Sequence, residues 1–162
     1  MGTYRARHVA NSLLQRGFKE ARKDMSPMKI QKLMFYLNGW HLAINGTPAI
    51  DIPFEPWKYG PVVPLIYDDL KRYQSCNVTN YIDEHDPQTG SFKPFVVAEQ
   101  CSDFYEVLDL TWEKYIGIDA IQLSAMTHEP GSPWEKALNC GLSEIPEKLT
   151  QEYFVNLAKS SC

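Results

Sequence analysis

Ser26 and Lys29 stand three residues apart, the spacing at which a lysine one helical turn away can activate a serine nucleophile. Penicillin-binding enzymes that use this pair also need a Lys-Thr-Gly strand, and the sequence has none. With Pro27 next in line, Ser26 reads better as a helix cap: its oxygen takes a first-turn amide, and proline fills a position whose N–H would go unbonded. His128-Glu129 begins like a zincin motif, but Ser132 stands where the second histidine belongs and Pro130 would break that helix. His8, His41, His85 and His128 are dispersed, and the cysteines do not join them at metal-ligand spacing. Asp83, Glu84 and Asp86 could meet a cation, yet their spacing fits no EF-hand, and they read as a solvated acidic loop. The glycines are spread singly, so no phosphate-cradling loop is present. Ser124 or Cys140 could pair with His128 in space, which leaves a small enzyme using His128 with Glu129 as the catalytic alternative. The reading preferred is a chain that is not an enzyme, with no cofactor and no metal.

The aromatic and basic residues carry more information. Trp57, Tyr59, Tyr36 and Trp134 could form an exposed patch for a partner protein, since aromatics are enriched at such patches; otherwise each anchors a helix or turn in the core. Lys29, Lys32 and Lys58 could offer a basic rim to an acidic partner, against the plainer reading of a solvated helix face.

The elements that must position these residues follow from periodicity. Val9, Leu13, Leu14 and Phe18 make one apolar face of a helix over 3–18, with Arg5, Arg7, Asn11 and Arg16 largely off it. Ser26-Pro27 opens a second helix whose apolar residues run from Ile30 through Leu33, Met34, Leu37 and Trp40 to Ile44, and Asn45-Gly46 ends it. Apolar residues surround much of this helix, so it is expected at the centre of the domain. Phe54 to Trp57 reads as a short extended segment, Gly60-Pro61 as a turn, and Pro64 as the start of a third helix to about Gln74. Strands are expected near 78–82 and 92–97 around a turn-rich Asp86-Pro87-Gln88-Thr89-Gly90, with 54–57 able to join them. Ser102 caps a further helix, Asp119 with Gln122 and Ser132 with Glu135 form capping boxes for two short ones, and a last helix begins near Pro146. The fold class is mainly α, a single domain over 1–162 with a small β element.

At 162 residues, 44% hydrophobic and 22% charged, the chain has the composition of one globular domain. A net charge of −4 makes nucleic acid an unlikely partner, and no run is apolar enough for a membrane span. The N-terminus lacks a signal-peptide core, and Cys76, Cys101, Cys140 and Cys162 form no C-x-x-C pair, so a cytoplasmic location with reduced thiols is expected.

Three stretches together carry a family pattern: residues 25–40 with Lys29, Gln31, Lys32, Leu33 and Tyr36; residues 54–73 with Phe54, Trp57, Gly60, Pro61 and Val62; and residues 123–137 with Leu123, Ser124, Thr127, His128, Pro133 and Trp134. In order and spacing they resemble the blocks of the Panacea domain of SocA-like proteins. Ile30 and Phe35 replace the usual leucine and tyrosine, Pro56 precedes the tryptophan, and the acidic 83–90 insert lies outside the pattern. The resemblance implies an antitoxin, encoded beside a toxic protein in prophages or mobile elements and neutralising it by direct contact. A proteolytic or chaperone adaptor that delivers its partner is the other role it leaves open. Since the shared pattern spans most of the chain, the domain itself is expected to carry recognition. The residues assigned to the partner are Lys32, Tyr36, Trp57, Lys58, Tyr59, Gly60, Pro61, His128 and Trp134.

Overall fold

A computed structural model describes residues 2–160, so Cys162 lies outside the described residues. The chain forms α1 (Ala6–Lys19), α2 (Pro27–Asn45), β1 (Glu55–Trp57), β2 (Gly60–Val62), α3 (Pro64–Leu70) with a 3₁₀ turn (Lys71–Tyr73), β3 (Asp83–His85), β4 (Phe92–Pro94), α4 (Ser102–Tyr115), α5 (Ala120–Thr127), α6 (Pro133–Asn139) and α7 (Glu147–Ser160). It is mainly α, with two small antiparallel hairpins.

α2 is the axis of the fold. The Ser26 side chain accepts from the Lys29 amide, Pro27 fills the first turn, and Gly46 closes the helix in the left-handed conformation. Every residue from Lys29 to Leu42 is buried. A helix buried on all sides needs neighbours on all sides, and α1, α3, α4, α5, α7 and β2 surround it. Phe35, Tyr36 and Trp40 each meet Phe154 of α7 edge to face, at ring-centroid distances of 5.9, 5.8 and 5.2 Å. Gly39 lets that ring lie against the α2 backbone, since a Cβ there would fall 2.1 Å from a Phe154 ring carbon.

Several expectations need correction. Gly60-Pro61 is not the turn: it begins β2, and Lys58-Tyr59 turns the chain, with Gly60 at φ +116°. Pro56 and Pro61 face each other in this hairpin. Alternate antiparallel pairs exchange no ladder bonds, so two prolines are harmless at such a pair. The 54–57 segment pairs with 60–62 and does not join the second hairpin, whose strands are 83–85 and 92–94 rather than 78–82 and 92–97. Ser102 is the first helical residue; Cys101 occupies the cap position and no side chain caps α4. Asp119 and Ser132 do cap α5 and α6, accepting from the amides of Gln122 and Glu135.

Asn11 is fully buried and on the working face of α1. Its amide donates to the Ile82 and Phe95 carbonyls and accepts from the Ile82 N–H, all within 2.9 Å, which ties the second hairpin to α1. The acidic loop is tied down as well. Glu84 is buried beside Arg5 at 2.6 Å and His8 at 2.9 Å, while Asp86 pairs with Lys93 at 3.0 Å and accepts from Gln88 and Thr89.

Gly39→Ala should lower stability by about 1–3 kcal/mol despite alanine's better helix propensity, because a buried ring has to move. Urea denaturation of this variant, of Phe154→Leu and of the double variant should give a total smaller than the sum of the singles.

Candidate functional site

The three sequence blocks meet at the β1–β2 hairpin, and they meet through its carbonyl oxygens. The Trp134 indole donates to the Trp57 carbonyl (2.6 Å), the His128 Nε2 lies 3.1 Å from that of Lys58, and the Ser124 hydroxyl donates to that of Tyr59 (2.6 Å). Lys32 Nζ donates to the Pro61 carbonyl at 3.2 Å, and Gln31 exchanges two bonds of 3.0 Å with the backbone of Val63. The bonds from Trp134, Ser124, Lys32 and Gln31 each satisfy a backbone group that a short, two-stranded ribbon would leave to water. Thr127 packs behind: its Oγ1 and the Lys32 Cε lie 2.6 and 2.7 Å from where a Cβ on Gly60 would be. Only glycine fits there, on grounds of space and of φ.

His128 also has its Nδ1 at 2.6 Å from the Ser124 carbonyl, and its ring lies 3.9 Å from that of Trp134. Both nitrogens therefore face backbone carbonyls, one from its own helix and one from the hairpin turn. Tyr153 places its hydroxyl 3.3 Å from Glu129, whose charge adds to burial in pushing the phenol up to about 12.

The expected partner residues divide by exposure. Tyr36 is 4% exposed and stacks on Tyr115 with ring centroids 4.2 Å apart, inside the core. Gly60 and Pro61 are buried, and Trp57, His128 and Trp134 are half-buried. Lys58 and Tyr59 are exposed at the turn, with the lysine amine 5.4 Å from the tyrosine ring centroid. Sequence reasoning missed Tyr67, which is exposed on α3 and meets Trp57 edge to face at 4.9 Å. Its helical position beside buried Ile66 hid it.

The basic rim does not form as expected, because Lys29 and Lys32 are each only 1% exposed. Lys29 is paired: its amine meets Asp24 at 2.8 Å and donates to the Ile116 carbonyl at 2.6 Å. Arg22, and after it Lys29, hold the Asp24 carboxyl down to about 2. Lys32 has the Pro61 carbonyl and no carboxylate among the described residues, and burial pushes its amine down to about 8.

Beside the hairpin lies a groove of about 380 Å³ between the start of α2, the turn and α3. A larger open hollow of about 710 Å³ lies between residues 48–54 and 142–147, and none of the expected partner residues lines it.

The helical scaffold, with a hairpin clamped by Lys32, Ser124, His128 and Trp134, belongs to a known class. Residues 30–135 match the family model described as "Antitoxin SocA-like, Panacea domain", and the chain belongs to that family. It is 31% identical over 136 residues to "Antitoxin SocA" of Caulobacter vibrioides (strain NA1000 / CB15N), an alignment covering 83% of this chain and 70% of the relative. No solved structure matches the chain. Among the described residues, no helix is long and apolar enough to cross a membrane.

The Lys32 amine sets a pH dependence. Its pKa falls from the ordinary 10.5 to about 8 in the fold, so between those values the unfolded chain holds a proton that the folded chain has released. Stability should therefore rise with pH across that window, while below it the fold bears the full cost of a buried charge. Lys32→Met should lose that rise, so that its stability relative to the parent chain is most favourable at neutral pH and falls behind as pH climbs, as read from denaturation midpoints across the window.

Proposed function

We propose that this chain is an antitoxin that neutralises a cognate toxin, encoded nearby, by direct protein contact and not by transforming a small molecule. One observation carries this reading. The polar side chains of the family pattern are spent on the backbone of a hairpin, and what they hold outward is a rim of aromatic and basic side chains: Trp57, Lys58 and Tyr59. A catalytic site would keep such groups free for substrate. His128, the centre of the enzymatic alternative, has both ring nitrogens against carbonyl oxygens, and Ser124 donates its proton to the Tyr59 carbonyl. Exposed aromatics on a braced turn are instead the usual anchors of protein recognition. Family membership supports the same conclusion.

The test is genetic and then physical. The neighbouring gene should arrest growth when expressed alone and be tolerated with this chain, and the two products should co-purify at fixed stoichiometry. Tyr59→Ala, at a site 59% exposed, should keep the helical circular-dichroism signal and weaken the complex about tenfold or more. Harmless neighbours, or rescue without any physical complex, would remove this reading.

A further inference from the structure

The groove beside the hairpin is walled by Met28, Trp57, Tyr59, Ile66, Tyr67 and Leu70. Two charged residues line it, Lys32 and Lys58, and both are cationic. Neither forms a salt bridge among the described residues; other lysines without one, such as Lys19, Lys114 and Lys148, are exposed, whereas Lys32 is buried. In a chain with 20 acidic and 16 basic residues, an apolar hollow with only positive charges is the exception.

Lys32 sharpens the point. It is one turn from Lys29 on the same helix and equally buried, yet Lys29 has Asp24 and Lys32 has only a carbonyl oxygen. A buried ammonium with a single neutral acceptor costs stability, and a carboxylate brought to it would offset that cost. Residues that weaken a fold are characteristic of sites that need them for binding.

We propose that this groove receives an acidic, apolar segment of the partner polypeptide, with a large apolar side chain seated between Trp57 and Tyr67 and Asp or Glu carboxylates paired with Lys58 at the rim and Lys32 at the floor. The volume suits a short stretch of chain, and the recognition combines a desolvated anchor with charge complementarity. The nature of the partner, a polypeptide, rests on the preceding reading; the chemistry of the segment rests on the groove.

The probe is a short fluorescein-labelled peptide of leucine, tryptophan and glutamate, compared with a version carrying lysine for each glutamate and one carrying serine for each apolar residue. Fluorescence anisotropy with the full chain should show binding of the first alone, weakened by added salt. NMR shifts should centre on the Trp57 indole and the amides of Lys58 and Tyr67. Lys58→Ala and Lys32→Met should each weaken binding by about tenfold or more with the helical circular-dichroism signal unchanged. Lost binding with the fold intact separates a ligand-binding lysine from a structural one. Equal binding of the lysine peptide, shifts centred elsewhere, or indifference to both lysine variants would overturn the proposal. So would a dimer that buries Trp57, or a duplex oligonucleotide that displaces the acidic peptide. A chain that neutralises its neighbour yet ignores the acidic peptide keeps the antitoxin reading and loses the groove; one that binds the peptide here yet protects against no neighbour does the opposite.

Discussion

A helix buried on every side cannot leave its polar side chains to water, and this requirement organises the whole molecule. α2 carries Lys29, Gln31, Lys32, Asn38 and His41 inside the protein. An unbonded buried polar group costs on the order of 1–3 kcal/mol, so each must find a partner in whatever packs over it. The partners are loops. Asn38 accepts from the amides of Ala49 and Ile50, His41 meets the Thr47 carbonyl at 2.7 Å, Gln31 pairs with Val63, and Lys29 reaches Asp24 and Ile116. The central helix therefore packs its neighbours through apolar contact and fastens their connections through hydrogen bonds. The second effect fixes where the irregular segments run.

The hairpin is the clearest product of this arrangement. Two strands of three residues each are too short to be stable alone. Side chains from α2, from α5 and from Trp134 of α6 take up their carbonyls, and the turn becomes a rigid projection. A rim braced in this way would lose little conformational entropy if a partner bound it. At Lys32 the fold tolerates a buried amine with a carbonyl oxygen and no carboxylate beside it.

The second hairpin is anchored differently, through charges and one amide. Asn11 holds its backbone and Glu84 collects Arg5 and His8. The acidic segment thus belongs to the body of the domain. The apolar residue it leaves exposed is Phe92, on β4.

Local chemistry was legible in the sequence by itself. Ser26-Pro27 and Asn45-Gly46 marked both ends of α2, and Asp119 and Ser132 marked two more starts, because caps and breakers act within a few residues of where they stand. The mainly α class and the central place of α2 followed from periodicity. The order and spacing of the three blocks pointed to the family. Only the tertiary structure could decide the fate of the polar residues. Lysine and asparagine normally lie outside, and nothing near Lys32 or Asn11 in the chain signals the hairpins that close over them. Gly60 read as a turn because glycine before proline usually is one; the true turn, two residues earlier at Lys58-Tyr59, is held by Ser124, His128 and Trp134, more than sixty residues away. Burial is a property of the packed assembly, and a side chain's partner is whatever that packing brings within 3 Å or so of it.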